Sequence, residues 1–456
     1  MRHITSTPQH FDSPGDQRKL RRRGIALLEK TLLALCLVAS LSSTVLAQDV
    51  VLDWNGHAAN AIVTVANLPP PRGLIRLAMV HVAMYDAVNA IQGYPFAPYA
   101  VRPDVVTPAS PEAAAVAAAH DVLVALFPAQ QADLDAKYAT SLAAIADGPA
   151  KTNGISVGQQ VAAGTLLFRT GDGRDAVVAY TPGSGPGVWN PTPPAFLPAQ
   201  APEVAQVRPW TLNSPSQFRA EPPPDLTSDT WVRDYNETKS LGVATGSTRT
   251  PEQTDLARFI SDQPMLQWNR AWRGISAGQA LPLVDNARLF ALLTTASSDA
   301  LIACWDSKFH YNFWRPVTAI RAGDTDGNSL TDPDPSWIGL VITPNHPEYP
   351  AAHGCFSAAS AETLSFFFGT DDFDFTMNSL VPGLTQPVRS YTAFSQALQD
   401  ALDARVYGGM HYRNSTEKGA IIGKQVSHFA TSHFFRPSRG AAATNARQNL
   451  GATITR

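Results

Sequence analysis

Apolar residues return at helical spacing along most of this chain, and this pattern predicts a mainly α-helical fold. The clearest case is Leu74 to Ile91, where apolar side chains recur every three or four residues. Ser110-Pro111 precedes an alanine-rich run to Phe127, which predicts a second helix capped by serine with proline in its first turn. Strand-like alternation is sparse. We therefore expect one or more helical bundles joined by long ordered loops.

The same reasoning predicts further helices at 129–147, 156–168, 228–241, 250–260, 284–309, 359–368, 390–407 and 417–434. Between residues 171 and 226 the helical pattern of apolar residues stops. Proline, glycine and tryptophan are frequent there, and apolar residues recur at no constant spacing. This stretch carries too many aromatic and aliphatic residues for disorder. We interpret it as an ordered excursion that packs over the helices or forms a lid.

Composition narrows the class of protein. The 456 residues are 44% hydrophobic and 16% charged, with a net charge of -3. These values favour a substantial core and argue against a nucleic-acid partner, since no basic stripe is visible. We divide the chain into residues 1–47, an N-terminal helical region at 48–240 containing the 171–226 excursion, a catalytic helical region at 241–440, and a C-terminal tail at 441–456.

Residues 1–47 have the features of a secretory signal peptide. A basic stretch ends at Arg23, an apolar run spans Thr31 to Leu46, and Val45-Leu-Ala47 is a suitable cleavage site before Gln48. An uncleaved membrane anchor is the alternative. We expect export to the periplasm or the medium, and no membrane span in the mature chain. The sequence leaves the oligomeric state open and is compatible with a homo-oligomer.

Three segments in the last third of the chain carry the candidate chemistry. Lys308 and Arg315 are seven residues apart among aromatic side chains, so a helix continuing through both would place them on one face, with Pro316 ending it. The alternative is a solvated basic pair. Cys304 lies four residues before Lys308, and it could pair with Cys355 in an oxidising compartment or remain a buried free thiol.

The second and third segments supply histidines. Tyr349-Pro-Ala-Ala-His353-Gly354 places small residues where an anion could approach the main chain, and a helix starting near His353 would offer free amides. Arg405 and His411 flank Gly408-Gly409, which can break a helix and turn both toward one place. Asn414 to Glu417 has the character of a cap for the next helix. Together the segments suit a bound oxyanion, with lysine and arginine neutralising its charge and histidines attacking, ligating or moving protons.

The order Lys308-x6-Arg315-Pro, Tyr-Pro-x-x-His353 and Arg405-x5-His411 resembles the three-part signature of the vanadium-dependent haloperoxidases, shared with the type 2 phosphatidic acid phosphatase superfamily. His81 to Asn89 also resembles the opening helix of the secreted bacterial branch. The resemblance covers most of the mature chain and is dense from Ala303 to Phe434. It implies a haloperoxidase-like helical fold, an orthovanadate prosthetic group, and oxidation of halide by hydrogen peroxide.

Roles follow from the resemblance position by position. It implies that His411 ligates vanadium and that His353 is the general acid or base. The implied anion-binding set is Lys308, Arg315, Ala352, His353, Arg405 and His411. Trp305 and His346 would line the pocket, and His346 falls where bromide-preferring members carry histidine and chloride-preferring ones an aromatic, so bromide or iodide is favoured over chloride.

One departure from the family pattern matters for the expected activity. Ala351-Ala352 replaces the usual Ser-Gly, which removes a hydrogen bond to the oxyanion worth on the order of 1–3 kcal/mol. A phosphomonoesterase that forms a phosphohistidine on His411 is therefore an alternative, with a small phosphoester as substrate. A non-catalytic anion-binding protein is a third hypothesis, and a histidine-ligated divalent metal site is a weak fourth.

Overall fold

The computed structural model describes His3 and residues 49–438, and helices dominate this part of the chain. The α-helices are, in chain order, α1 Val50–Ala59, α2 Pro70–Ile91, α3 Pro111–Leu126, α4 Gln131–Ala143, α5 Pro149–Phe168, α6 Asp229–Gly242, α7 Pro251–Phe259, α8 Pro264–Gln279, α9 Leu283–Tyr311, α10 Pro316–Arg321, α11 Ala352–Phe368, α12 Phe394–Tyr407 and α13 Arg413–His433. A π-helical stretch, Asn60–Val65, extends α1. The mainly α prediction is confirmed. The predicted signal peptide at 1–47 and the tail at 441–456 lie outside the described residues.

The centre of the fold is a pair of long apolar helices, α2 and α9. They pack against each other, and α9 also contacts α11 and α13. Both are apolar on nearly every face, which is typical of helices buried inside a large bundle. By length and composition alone either could cross a membrane, yet 89% and 94% of their apolar windows are buried within the protein. Residues 49–438 belong to one compact unit, and the proposed boundary at residue 240 stays a prediction.

Local signals in the sequence set several helix starts. The Ser110 side chain accepts a hydrogen bond from Ala113 N, as predicted for the cap of α3. Thr250 and Gln253 form a reciprocal capping box at the start of α7. The predicted cap at Asn414 to Glu417 is wrong, because α13 begins at Arg413 after Tyr412, which makes no side-chain cap.

The proline-rich excursion is ordered and packs on the helices, as the sequence predicted. Trp189 and Trp210 are buried. The buried Asp299 carboxylate of α9 accepts hydrogen bonds from the backbone amides of Trp210 and Thr211 at 2.7 and 2.6 Å. A carboxylate that receives several amide bonds fixes an irregular segment without regular secondary structure.

The sequence reasoning missed several elements and misjudged others. Helices α1, α8 and α10 were not predicted, and an antiparallel hairpin was missed, with β1 at Asp372–Asn378 and β2 at Val388–Ala393. The helix expected from residue 390 therefore begins only at Phe394, because its first four residues belong to β2, which pairs with β1. Helix α11 begins seven residues earlier than expected, which brings His353 into its first turn.

Candidate active site

Lys308 lies in the last turn of α9 and is fully buried. Its Nζ donates to the carbonyl oxygens of Pro347 and Glu348, both at 2.8 Å. The helix ends at Tyr311, and Asn312 has a φ of 51°, a left-handed conformation that asparagine tolerates well. The predicted shared helical face of Lys308 and Arg315 is therefore wrong, because the turn at Asn312 separates them.

Arg315 lies in extended backbone just before α10, and Pro316 begins that helix rather than ending the previous one. Proline in a first turn costs no hydrogen bond, since that amide has no helical partner. The guanidinium is buried and donates from Nε to His346 O and from Nη1 to Met410 O, both at 2.9 Å. Through these bonds Arg315 of the first predicted segment contacts His346, just before the second segment, and Met410 in the third.

His353 is held in the first turn of α11, whose N-cap residue Ala351 provides no side-chain bond. The first-turn amides of this helix are therefore left without a capping side chain. The glycines where α11 crosses α13 allow a very close approach: a Cβ on Gly354 would lie 2.6 Å from Thr416 O. This tight crossing of α11 and α13 brings the start of α11 close to His411.

The third segment turns as the sequence predicted. Arg405 lies in the last turn of α12, and Gly409 has a φ of 75°. A Cβ on Gly409 would lie 2.5 Å from Gly242 O, so only glycine fits there. The chain reverses at this point, and His411 N lies 3.3 Å from Arg405 O. Arg405 and His411 consequently face the same cavity.

The hydrogen bonds of His411 determine its tautomer. Its Nε2 lies 3.0 Å from Arg315 Nη1, and its Nδ1 lies 2.8 Å from Glu348 Oε1. A guanidinium can only donate, so Nε2 accepts and the proton of a neutral imidazole is on Nδ1, from which it is donated to Glu348. Sequence reasoning missed Glu348, although an acidic residue between two prolines in a histidine-containing motif was a visible signal.

These groups surround a cavity of about 180 Å³. Its lining includes six of the predicted residues, namely Trp305, His346, Ala352, His353, Arg405 and His411. Lys308 and Arg315 lie behind this wall. Arg315 Nη2 is 3.0 Å from His346 Nδ1, and the Trp305 ring packs against His346 at 4.9 Å. The structure thus brings all eight predicted residues to one place.

The site buries more positive than negative charge. Burial lowers the pKa of Lys308 to about 8, of Arg315 to about 10 and of Arg405 to about 9. Among residues 49–438, the carboxylate of Glu348 is the one acidic side chain that contacts His411, and burial raises its pKa to about 7 against the opposing charges of Arg315 and Lys308. Arg405 Nε and His353 Nε2 are buried without a hydrogen-bond partner.

Burial and the surrounding cations keep the histidines neutral. The pKa values of His346, His353 and His411 all lie well below the ordinary value, first because of desolvation and then because of nearby arginine or lysine charge. A neutral imidazole retains a lone pair, which allows it to act as a ligand, a nucleophile or a base.

Two further expectations concern metals and cysteines. Within residues 49–438, no group of three or more histidine, cysteine or carboxylate side chains is arranged to hold a metal ion. Cys304 and Cys355 are buried free thiols. The two thiols are neighbours. Burial raises the pKa of the Cys355 thiol, and the adjacent Cys304 side chain raises it further.

Comparisons with known proteins agree on one family. The family model described as the VCPO second helical-bundle domain matches residues 288–440. The vanadium chloroperoxidase of Curvularia inaequalis is 26% identical over 185 residues, which cover 33% of this chain and 30% of that relative. The matched region thus spans less than a third of the curated relative's length.

Solved structures extend the similarity over most of the chain. The first bacterial vanadium-dependent iodoperoxidase superposes with a TM-score of 0.74 at 26% identity, covering 85% of this chain and 97% of that protein. A bacterial vanadium-dependent chloroperoxidase in its apo form gives a TM-score of 0.64 at 18% identity, covering 80% of this chain and 94% of that one, which is a similarity of fold alone.

Proposed function

The chain belongs to the vanadium haloperoxidase family, and we propose that it oxidises halide with hydrogen peroxide at a vanadate anion bound to His411. The observation that carries the proposal is the buried excess of positive charge. Lys308, Arg315 and Arg405 are buried, and in the part of the chain that the structure describes Glu348 supplies the one carboxylate that contacts His411 beside them. Buried charges are strongly unfavourable unless they are paired, and a bound anion would pair them.

The residues of the cavity fit vanadate in two respects. His411 presents an unprotonated Nε2, which is the ligand atom that a vanadium centre needs. Arg405 Nε is a buried donor without a partner and can donate to an anion oxygen, and the unpartnered His353 Nε2 can exchange a proton with the bound anion. When bound, vanadate supplies the Lewis acid that activates peroxide toward attack by halide.

Each side chain has a distinct task in this proposal. Arg405 and Arg315 donate hydrogen bonds to the anion oxygens, and Lys308 adds positive charge from behind the wall. If His411 Nε2 held the anion, the Arg315 N–H that now donates to Nε2 would be free to donate to an anion oxygen. The Ala352 amide adds a neutral donor at the start of α11. His353, which is neutral, would accept and return a proton at its unpartnered Nε2.

We also propose that bromide and iodide are oxidised in preference to chloride. His346 supports this, because its ring lines the cavity beside Trp305 and histidine stands at this position in bromide-preferring members. Oxidation rates for the three halides, compared between the wild type and His346→Phe, test it. An unchanged halide ranking in the variant would show that His346 does not set the preference.

The deciding experiment for the main proposal loads the chain from Gln48 with orthovanadate and measures bromination of a phenolic dye by peroxide. His411→Ala and vanadate-free protein are the controls. Activity that requires both vanadate and His411 supports the proposal. If the loaded protein is inactive but still binds phosphate, the non-catalytic alternative replaces it. Export is proposed as well, and cell fractionation of the full chain tests it.

A phosphomonoesterase is the second candidate, favoured by the His411 tautomer and by Ala351. A neutral imidazole whose Nδ1–H donates to a carboxylate is an activated nucleophile. Its Nε2 would attack phosphorus as the bond from phosphorus to the alcohol oxygen breaks. Neutral His353 would pass a proton from the monoanionic ester to that leaving oxygen, and water would then hydrolyse the phosphohistidine. Turnover of p-nitrophenyl phosphate by vanadate-free protein, abolished in His411→Ala, would establish this activity.

A further inference from the structure

Glu348 connects the two halves of the candidate site through different parts of the same residue. Its backbone carbonyl accepts a hydrogen bond from Lys308 Nζ at 2.8 Å. Its side-chain Oε1 lies 2.8 Å from His411 Nδ1 and accepts a second bond from Tyr412 N at 3.1 Å. The residue is fully buried, so solvent water does not compete for these hydrogen bonds or screen them.

The Glu348 side chain is directed to the histidine and not to the cations. Within the described part of the chain, its carboxylate hydrogen-bonds the neutral His411 imidazole and forms no ion pair with lysine or arginine, although Arg315 and Lys308 lie near enough to oppose the rise in its pKa. If the carboxylate served chiefly to neutralise these cations, direct contact with an ammonium or guanidinium group would be expected. The geometry instead resembles a carboxylate that orients a ligand histidine.

We propose that Glu348 is a positioning residue that holds His411 in the Nδ1–H tautomer and strengthens the bond that its Nε2 forms with the central atom of a bound anion. The proposal rests on the proposed function at the same site. Accepting the Nδ1 proton fixes the ring orientation and raises electron density at Nε2. Neither Lys308 nor either arginine can do this, because all three only donate.

This role separates two anions of the same shape. Vanadate expands its coordination and bonds to the imidazole nitrogen, whereas inorganic phosphate is held only by hydrogen bonds and charge. Loss of Glu348 should therefore weaken vanadate binding through the weaker nitrogen ligand. It should not weaken phosphate binding, because removing a negative charge increases the positive potential that attracts phosphate.

The test measures the Kd of vanadate and of inorganic phosphate by calorimetry for the wild type, Glu348→Ala and Glu348→Gln. We expect vanadate affinity to fall about 10- to 100-fold in the alanine variant, while phosphate affinity holds or rises. Glutamine keeps an acceptor oxygen for Nδ1 but carries no charge, so vanadate affinity should fall less in Glu348→Gln than in Glu348→Ala. If the alanine variant does not fold, the glutamine variant supplies the same comparison.

Asp86→Asn is the matched control for losing a buried carboxylate. Asp86 accepts backbone bonds from Tyr99, Ala100 and Val101 and does not line the cavity. We expect both of its anion affinities to match the wild type. A second measurement, the imidazole nitrogen NMR signals of ligand-free protein assigned with His411→Ala, should show a protonated Nδ1 in the wild type and mixed tautomers in Glu348→Ala.

The outcomes separate the two proposals. Equal losses for vanadate and phosphate in Glu348→Ala would show a structural role and overturn the positioning proposal, as would unchanged vanadate affinity. In both cases the haloperoxidase proposal survives if the wild type binds vanadate through His411. A wild type that binds phosphate but not vanadate would overturn the proposed function, and the positioning role would fall with it.

Discussion

Replacing Arg405 with methionine should stabilise the ligand-free protein and weaken its hold on anions. Arg405 is almost fully buried, its Nη2 contacts only the weakly accepting Sδ of Met410, and its Nε has no partner. A buried cation that lacks a carboxylate destabilises the fold in which it lies. Methionine has a similar length and no charge, so it can fill the same space.

The magnitude follows from the environment of the guanidinium. Burial, and after it the charge of Arg315, lowers the pKa of Arg405 from 12.5 to about 9. Each tenfold change in proton affinity corresponds to about 1.4 kcal/mol, so the charged form costs about 5 kcal/mol at neutral pH. Because the pKa is lowered, the charged guanidinium destabilises the folded state fully below pH 9, and this destabilisation decreases only above pH 9. Allowing for imperfect packing, we expect a net gain of about 1–4 kcal/mol.

The effect on binding should have the opposite sign. A hydrogen bond to a charged group contributes about 1.5–3 kcal/mol. Loss of one such bond from Arg405 Nε corresponds to a Kd for vanadate or phosphate about 10- to 150-fold higher. Differential scanning calorimetry of ligand-free protein and calorimetric titration with each anion measure the two effects on one preparation.

Arg169→Met is the matched control, because Arg169 is equally buried but ion-paired with Asp172 at 2.7 Å. Its replacement removes a partner from a buried carboxylate and should destabilise by about 3–5 kcal/mol without changing anion affinity. A lower melting temperature in Arg405→Met, or unchanged anion affinity, would refute the assignment of Arg405 as an unpaired cation that holds the ligand.

Three further outcomes are expected. Ala351→Ser should tighten vanadate binding by about 1–3 kcal/mol, since it restores a hydroxyl donor beside α11; an unchanged Kd would show that the hydroxyl does not reach the anion. In the chain from Gln48, two thiols, Cys304 and Cys355, should react with Ellman's reagent in denaturant without reductant and none in the native state; no reaction in denaturant would indicate a disulfide. Burial raises the pKa of Asp86 to about 6, above the 3.8 of the unfolded chain, so its contribution to stability is full below pH 4 and is lost as pH rises through 6. The stability advantage of the wild type over Asp86→Asn, followed by urea unfolding, should therefore shrink by about 2 kcal/mol between pH 4 and 7; a difference independent of pH would contradict this.

The sequence by itself determined the class of fold and predicted most residues of the candidate site. Helix periodicity and caps located α2, α3, α6, α7 and α9 within a few residues, because the signals that start and bury these helices are local. The glycine pair at 408–409 predicted the reversal that turns Arg405 and His411 to one cavity, since left-handed backbone with a close neighbour requires glycine. Motif order and the family resemblance predicted eight residues that the structure brings to one place, but not Glu348.

Only the tertiary structure decided how those residues are arranged. The turn at Asn312 depends on what packs around the end of α9, so spacing alone wrongly placed Lys308 and Arg315 on one helix. The hairpin was missed because its two strands stabilise each other across a loop and leave little local pattern. The contact of Glu348 with His411 joins residues 63 positions apart, and the His411 tautomer depends on that contact and on Arg315. Such long-range contacts leave no periodicity in the sequence, because they exist only once the helices have packed.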